Sequence, residues 1–181
     1  MEPGFKFKQF VVKDDKSCMK VGTDAVILGS WVNIKPAKTI LDIGTGSGII
    51  ALMMAQRSNA KIDAIDIDPA STKQSRQNFE ASSWNDRISI INCSLQDFHK
   101  KKDKKYGLIV SNPPYFIGSL RSPDESRTLA RHNDKLSFEE LIRGVLILLE
   151  EGGRFALILP EQENKIFKEK AIVNALYSFR E

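Results

Sequence analysis

A tetrapeptide in the second half of the chain has the residue types needed to hold a flat group that carries an amine. It reads Asn112-Pro113-Pro114-Tyr115 and follows the apolar run Leu108-Ile109-Val110. The Asn112 side-chain oxygen and the Pro113 carbonyl can each accept one N–H of such an amine. Proline has no N–H and holds the preceding residue extended, so these acceptors face no competing donor. Tyr115 offers a ring on which a base can stack.

A second informative stretch is rich in glycine. Residues 42–48 begin with Asp42 and continue with Gly44, Gly46 and Gly48 in alternation. Glycines permit a tight turn and the close approach of a ligand to the backbone. The spacing G-x-G-x-G differs from the G-x-G-x-x-G of dinucleotide-binding proteins, and a preceding carboxylate would repel a pyrophosphate. The same carboxylate suits a cationic amino-acid group.

An acidic residue after the next apolar segment extends this pattern. Asp66 lies near the end of residues 61–67, where a carboxylate can accept hydrogen bonds from both hydroxyls of a ribose. Asp68 is the weaker candidate, because Asp68-Pro69 is typical of an N-cap followed by proline at the first helical position. The turn and its acids therefore predict a nucleoside ligand.

Alternating strands and helices must position these motifs. Predicted strands cover residues 39–43, 61–67, 88–93, 106–111 and 154–159, and predicted helices cover 49–57, 69–81, 137–149 and 161–179. Such alternation predicts an α/β fold with a mostly parallel sheet and helices on both faces. Right-handed crossovers bring the loops after the strands to one edge, where ligands bind. Each motif follows a predicted strand, so we expect all of them at that edge.

Local signals mark several ends of these segments. Ser137 and Glu140 have capping-box spacing, and Gly152-Gly153 should end the helix that they begin. Thr23 or Asp24 could cap a helix through residues 25–32. Residues 5–12 are predicted to form a strand or an extended arm.

Composition predicts one soluble domain. The chain has 181 residues, of which 41% are hydrophobic and 28% charged, and residues 1–38 form an N-terminal arm and helix before a core of residues 39–181. Its apolar runs are shorter than the ~18 residues of a membrane-spanning helix, and its start lacks the apolar segment of a signal peptide. We expect a cytoplasmic protein. Cys18 and Cys93 suit reduced thiols, and His99 and His132 have no third ligand nearby, so no metal is expected.

The net charge of +4 is compatible with a polyanionic partner. Basic residues concentrate in an N-terminal set, Lys6, Lys8, Lys13, Lys16 and Lys20, and in residues 100–105. The second run contains no aromatic residue, and a solvated loop before a strand is the favoured interpretation of it.

The glycine turn with Asp42 and Asp66 resembles motif I and the ribose acid of Rossmann-like class I methyltransferases. Asn112 to Tyr115 resemble motif IV of amino-methyltransferases, which act on adenine N6, cytosine N4 or a glutamine amide. The resemblance implies S-adenosylmethionine as cofactor, with Asn112 also contacting it. It further implies cofactor contacts from Ile67, Ser94 and Leu95. Relatives often carry an acid where this chain has Ser94, so either Ser94 or Asp97 contacts the cofactor adenine, and Asp97 could equally cap a turn.

A longer series of segments is similar to the bacterial adenine-N6-methyltransferases that modify position 37 of a valine tRNA. The series comprises residues 7–10, 19–24, 41–44, 112–115, 130–131 and 159–162. This resemblance implies that Lys20, Gly22, Thr23 and Asp24 lie over the methionine part of the cofactor. It implies a tRNA anticodon loop as partner, and we expect a monomer.

Two further features bear on this interpretation. The long loop of residues 116–133 contains arginines, of which Arg131 is the best candidate for a tRNA contact, although acids in the loop also suit a salt-bridged surface. The complete Rossmann-like fold ends in a strand hairpin, whereas residues 161–179 are predicted to be helical. We therefore expect a core that lacks this hairpin, as a shortened version or a fragment.

Two alternatives remain open at this stage. The chain could be an amino-methyltransferase for a release-factor glutamine, ribosomal RNA or DNA adenine, or it could be an inactive RNA-binding fragment. The N-terminal segment disfavours the release-factor alternative, since such enzymes carry a separate helical N-terminal domain.

Overall fold

The computed structural model describes residues 4–17, 19–101, 104–113 and 136–174 of the chain. In chain order the elements are β1 (Phe5–Lys6), β2 (Val11–Val12), α1 (Thr23–Trp31), β3 (Thr39–Ile43), α2 (Ile49–Arg57), β4 (Lys61–Asp66), α3 (Pro69–Glu80), β5 (Ile88–Asn92), α4 (Leu95–Lys101), β6 (Tyr106–Ser111), α5 (Phe138–Leu148), β7 (Leu149–Leu157) and α6 (Glu161–Val173).

The main sheet has five parallel strands in the order β5-β4-β3-β6-β7. The chain builds outward from β3 to β5 and then returns to place β6 on the other side of β3. This reversal is a topological switch point, where a crevice opens beyond the carboxyl ends of the strands. The predicted Rossmann-like architecture is confirmed.

The two central strands are buried on both faces because helices cover the sheet on each side. Ile40 of β3 and Leu108 of β6 join the cluster formed with α1 and α2, whereas Leu41 and Ile109, their neighbours in sequence, join the cluster formed with α5. Side chains alternate across a strand, so each of these strands needs apolar residues at nearly every position. The apolar runs in the sequence have this origin.

The junction between α5 and β7 differs from the prediction. The strand β7 begins at Leu149, directly after α5, instead of at residue 154. Gly152, with φ of 71°, lies within β7, where the register with β6 shifts, and it does not end the helix. A glycine with positive φ serves an irregular strand as well as a helix end, so the sequence signal was ambiguous.

Other local predictions have mixed outcomes. The capping box of Ser137 and Glu140 is confirmed, with both reciprocal hydrogen bonds present. The N-cap of α1 is Gly22, without a side-chain cap hydrogen bond, so neither Thr23 nor Asp24 occupies that position. The N-terminal segment forms the antiparallel pair β1–β2 instead of one strand.

The run of lysines after α4 is only partly a solvated loop. Lys104 Nζ lies 2.7 Å from Asp63 Oδ2, and Lys105 Nζ donates to the carbonyl of Ile147. The last described element is α6, and residues 175–181 lie outside the described part, so the predicted helix is confirmed as far as Val173. None of the helices in the described ranges is long and apolar enough to cross a membrane.

A buried carboxylate cluster joins β4, β5 and β6. Asp63 accepts hydrogen bonds from Tyr106 Oη at 2.5 Å, from Lys104 Nζ at 2.7 Å and from Ser89 Oγ at 2.5 Å. Burial favours the protonated acid, but these donors outweigh burial and lower the pKa of Asp63. The cluster therefore stabilises the fold only while Asp63 is ionised.

We predict that Tyr106→Phe lowers the free energy of unfolding by about 1–2 kcal/mol near neutral pH, because one donor to a buried carboxylate is lost. The folded-state pKa of Asp63 is depressed, so its stabilisation is present above about pH 4 and lost as the pH falls below it. Urea unfolding at about pH 7 and about pH 3 measures this. The control Ser58→Ala removes a donor to the neutral carbonyl of Met54 and should cost the same at both pH values. Equal costs for Tyr106→Phe at both would contradict the prediction.

Candidate functional site

The neighbouring strand β4 holds the glycine turn between β3 and α2 by hydrogen bonds. Gly44, Gly46 and Gly48 have φ angles of 70°, 57° and 84°. The backbone N–H groups of Gly44 and Thr45 both donate to the carbonyl of Ile65, at 2.9 and 3.1 Å. A β-carbon at Gly44 would meet no atom within 4 Å, so the backbone there is open to a ligand.

Gly48 serves packing within the protein. A β-carbon at this position would lie 2.4 Å from the ring of Phe79 and 3.2 Å from Ser75, both on α3. Only glycine lets α3 approach the start of α2 this closely. Of the three glycines in the turn, Gly44 is the most exposed towards the crevice.

Asp42 lies beneath the turn and is fully buried. Its Oδ2 accepts hydrogen bonds from Thr45 Oγ1 at 2.7 Å and from the N–H of Ala51 at 3.2 Å, which ties the turn to the first turn of α2. Within the described residues its Oδ1 has no hydrogen-bond partner. Burial raises the pKa of Asp42 to about 7, and the carboxylate of Asp66 contributes in the same direction.

Asp66 braces the turn from the end of β4. Its Oδ2 accepts a hydrogen bond from the N–H of Gly46 at 2.8 Å, and its Oδ1 accepts one from the N–H of Asp68 at 2.9 Å. Burial raises its pKa. Each carboxylate oxygen has a second lone pair, so both can still accept from ligand hydroxyls. Asp68 caps α3 through the N–H of Ser71 at 2.7 Å, as its sequence predicts, and Ile67 is 52% exposed beside Asp66.

The motif after β6 lies next to the glycine turn. Ile43 pairs with Ser111 in the parallel ladder, and Ser111 Oγ donates to the carbonyl of Ile43 at 2.9 Å. Asn112 and Pro113 follow directly, so they leave β6 where Gly44 leaves β3. Asn112 is half-buried and Pro113 is buried. The predicted site residues Pro114, Tyr115 and Arg131 lie outside the described residues.

At the end of β5, the two residues proposed for the cofactor adenine interact with each other. Ser94 Oγ accepts from the N–H of Asp97 at 3.1 Å and donates to Asp97 Oδ2 at 3.0 Å. Together they form the first turn of α4. Leu95 is buried against Gly144 of α5, where a β-carbon would lie 2.6 Å from its side chain. Only the backbone of Leu95 is therefore placed to meet a ligand.

Lys20 and the residues after it follow the segment of residues 13–17, which is the part of the N-terminal region that contacts the glycine turn. Lys20 Nζ donates to the carbonyl of Asp14 at 2.7 Å, and Asp14 Oδ2 accepts from the N–H of Val21 at 2.9 Å. Gly22 and Thr23 are exposed and Asp24 is half-buried. These contacts hold Lys20 and Val21 against Asp14 of the preceding segment.

Residues 13–17, which we call the strap, cover the turn instead, and sequence reasoning missed them. Asn78 of α3 is buried, and its side chain accepts from the N–H of Lys13 at 3.0 Å. Its amide nitrogen donates to the carbonyls of Lys13 and Ser47, both at 2.8 Å. One side chain thereby joins the strap to the glycine turn.

The strap continues along α3 towards Gly46. Gln74 Oε1 accepts from the N–H of Lys16 at 3.1 Å, and the hydroxyls of Ser17 and Ser71 lie 3.4 Å apart. Ser17 Oγ is 3.7 Å from the position that a β-carbon would take at Gly46. Ser71, Gln74 and Asn78 have helical spacing, so a stripe of buried polar residues on α3 was the available sequence signal.

The residues at the turn fit a nucleoside that carries a positive charge. Asp42 Oδ1 is a buried acceptor without a partner in the described part of the chain, Gly44 presents open backbone, and Asp66 retains lone pairs for hydroxyls. An Asn-Pro pair faces this turn across the switch point. A parallel sheet with these features defines the class of Rossmann-like methyltransferases.

Comparison with known proteins identifies the family. A family model described as the methyltransferase small domain matches residues 17–167. Curated relatives named tRNA1(Val) (adenine(37)-N6)-methyltransferase include one from Bacteroides fragilis, 46% identical over 99% of this chain and 76% of its own. Another, from Flavobacterium johnsoniae, is 48% identical over 95% of this chain and 72% of its own. The chain belongs to this family.

Solved structures with low sequence identity share the fold. A predicted O-methyltransferase from Agrobacterium tumefaciens has a TM-score of 0.63 at 20% identity, covering 81% of this chain and 66% of its own. A ribosomal protein L11 methylase from Lactobacillus delbrueckii subsp. bulgaricus has a TM-score of 0.57 at 22% identity, covering 84% of this chain and 66% of its own.

We predict that Asp42→Asn flattens the dependence of stability on pH. The folded-state pKa of Asp42 is raised to about 7, so the contribution of Asp42 to stability is fully present below about pH 4 and is lost, by a few kcal/mol, as the pH rises from there to about 7. Asparagine keeps the acceptor for Thr45 and Ala51 but cannot ionise. Urea unfolding at about pH 5 and about pH 7.5 compares the two proteins. Parallel pH profiles would show that Asp42 titrates normally.

We predict that Asn78→Ala loosens the strap, because Lys13 loses both of its hydrogen bonds to α3. Trypsin should cleave after Lys13 or Lys16 at least about tenfold faster, since opening of the strap costs less. The control Gln77→Ala changes an exposed residue of the same helix and should leave the cleavage rate unchanged. A protected strap in Asn78→Ala would refute this role of the amide.

Proposed function

We propose that this enzyme transfers the methyl group of S-adenosylmethionine to the exocyclic N6 of an adenine in tRNA, at position 37 beside the anticodon. The pairing of β3 with β6 carries the proposal, because it places Asn112 and Pro113 beside the open backbone of Gly44. The names of the curated relatives supply the tRNA and the position.

The glycine turn and its two acids hold the cofactor. S-adenosylmethionine supplies a methyl group made electrophilic by the adjacent sulfonium. Asp66 accepts hydrogen bonds from the ribose hydroxyls, Gly44 admits the ligand to the backbone, and the unpartnered Oδ1 of Asp42 provides negative charge near the cationic amino-acid part. Ile67 contacts the cofactor adenine with its exposed side chain. The turn of Ser94 and Leu95 forms the other side of the adenine site.

Asn112 and Pro113 prepare the substrate nitrogen. The lone pair of an adenine amine is delocalised into the ring, which makes the amine a poor nucleophile. Two acceptors, the Asn112 side-chain oxygen and the Pro113 carbonyl, each take one N–H and favour a tetrahedral nitrogen whose lone pair points at the methyl group. The bound cofactor would supply the methyl group and would leave as the thioether, and positioning of the amine by Asn112 and Pro113 would be the main source of acceleration. The methylated amine is acidic and loses its proton to solvent, so no strong base is required.

Several predicted contacts complete this proposal. Tyr115 stacks on the adenine and Arg131 binds a tRNA phosphate, while Pro114 keeps the motif rigid. Lys20, Gly22, Thr23 and Asp24 close over the methionine part of the cofactor. The enzyme acts as a cytoplasmic monomer with one catalytic domain, and its target is an anticodon-loop base, which costs less to extrude than a paired one.

The experiment that tests the function compares substrates. The purified protein with radiolabelled S-adenosylmethionine is given unmodified tRNA, a release factor, ribosomal RNA and duplex DNA in parallel. We expect label on tRNA, and nucleoside mass spectrometry should identify N6-methyladenosine at position 37. Label on another substrate alone would overturn the proposal, and no transfer with no cofactor binding would favour an inactive RNA-binding fragment.

We predict that Asn112→Ala reduces methyl transfer by at least about 100-fold, since the amine loses one of its two orienting acceptors. Its affinity for S-adenosylmethionine, measured by calorimetry, should stay within about threefold, because the turn and Asp66 remain intact. The control Asn85→Ala removes an exposed asparagine and should retain full activity.

The complementary variant Asp66→Ala should act on cofactor binding first. We expect at least about tenfold weaker affinity, because the ribose loses a charged acceptor and Gly46 loses its brace. Full turnover by Asn112→Ala would contradict the role given to the motif after β6.

A further inference from the structure

The N-terminal hairpin, residues 5–12, combines exposed aromatic and basic side chains. β1 pairs with β2, and the N–H of Phe7 donates to the carbonyl of Phe10 at 2.9 Å to close the turn. Phe10 and Val12 are buried in the core, which anchors the hairpin to the protein. Phe5 is 53% exposed, so much of its ring is accessible to a partner.

Four aromatic rings connect this exposed phenylalanine to the core. The centroids of Phe5 and Phe7 are 5.4 Å apart, and Phe7 stacks on Phe10 at 4.6 Å with an angle of 11° between the rings. Phe10 meets the edge of Trp84 at 5.7 Å. The ring of Phe5 therefore contacts Phe7 on one side and is half exposed to solvent. A base can stack on such a ring whatever its identity, since every base has a π-face.

Lysines alternate with these phenylalanines. Lys6 and Lys8 are exposed, and no ion pair involves either of them in the part of the chain that the structure describes. Lys20, from the same basic set, instead contacts Asp14. The hairpin thus presents two available positive charges beside a stacking surface, which is the combination that single-stranded nucleic acid requires.

The strap connects the hairpin rigidly to the candidate site. Asn78 fixes Lys13, directly after the hairpin, and also contacts Ser47 of the glycine turn. The strap spans about 13 Å if extended. Lys16 on the strap is exposed and adds a further positive charge towards the turn, and the exposed acid Asp15 precedes it. The strap thus runs along α3 from the hairpin, which contacts Trp84 beyond the end of that helix, back towards the glycine turn near its start.

We propose that the N-terminal hairpin is an RNA-binding surface, in which Lys6 and Lys8 contact phosphates and Phe5 stacks on an unpaired base. The proposal rests on the proposed function, which makes RNA the substrate. An acidic protein would complement the lysines but has no need of an exposed ring that packs on a second ring. The hairpin contributes to RNA affinity and takes no part in the methyl transfer itself.

The charge contribution is tested with the double variant Lys6→Ala/Lys8→Ala in the full chain. Fluorescence anisotropy with unmodified tRNA, at about 50 and 200 mM salt, should give a Kd raised about tenfold at the lower salt. The slope of log Kd against log salt should fall by about 2. The control Lys100→Ala/Lys165→Ala removes the same charge from exposed lysines of α4 and α6, which pack on the other face of the sheet, and should change Kd by less than about twofold.

The stacking contribution is tested at Phe5. Phe5→Leu keeps an apolar side chain without a ring and should weaken tRNA binding about fivefold or more. Phe5→Trp should retain the affinity, and its added fluorescence should be quenched by tRNA but unaffected by duplex DNA, in which the bases are paired. All hairpin variants should keep the wild-type affinity for S-adenosylmethionine and the wild-type kcat at saturating tRNA, with a raised KM for tRNA.

Several results would overturn the proposal. For the charges, these results are a wild-type Kd for tRNA in Lys6→Ala/Lys8→Ala, or an equal loss of tRNA affinity in the control pair. For the ring, it is wild-type tRNA binding by Phe5→Leu. A change of oligomeric state in the hairpin variants would also overturn it, because a second copy of the chain would then cover the surface. Failure of the proposed function looks different: the wild-type enzyme would then leave adenine in tRNA unmethylated, whatever the hairpin variants bind.

Discussion

Ser111 donates its hydroxyl to the carbonyl of Ile43 at the point where β3 and β6 both end. This hydrogen bond continues the parallel ladder to the last residue before each functional segment, so Gly44 and Asn112 leave the sheet side by side. A slip of one residue would exchange the side chains that β6 presents to its two core clusters, and the close packing of both clusters opposes it. The core thereby fixes the position of the glycine turn relative to the motif after β6.

Two acids give the glycine turn its shape before any ligand arrives. Asp66 holds Gly46 from the end of β4, while Asp42 holds Thr45 and the start of α2 from below. The strap adds a third support through Asn78. A turn braced in this way loses little conformational freedom on binding, so more of the contact energy with a ligand appears as affinity.

The sequence predicts those parts of the fold that depend on local signals. The bounds of β3 and β6, the Asp68 cap and the capping box at Ser137 follow from apolar runs, proline and side-chain caps, and the structure confirms them. Contacts between distant segments leave no such signal. Asn78 lies 65 residues from Lys13, and an asparagine in a helix gives no hint of its partner. Lys104 belongs to a run that resembles a solvated loop, yet it pairs with Asp63, whose burial is visible only in the folded sheet.

The partnerless oxygen of Asp42 costs stability in the absence of a ligand, since a buried carboxylate is either protonated or insufficiently solvated. A cation brought close to this oxygen would lower the pKa of the acid and relieve that cost. By linkage, ionisation of Asp42 and binding of a cationic ligand then favour each other. A neutral nucleoside could use Asp66 equally well but would gain nothing from Asp42. The buried acid thus favours a nucleoside whose amino-acid part carries a positive charge over one that lacks such a group.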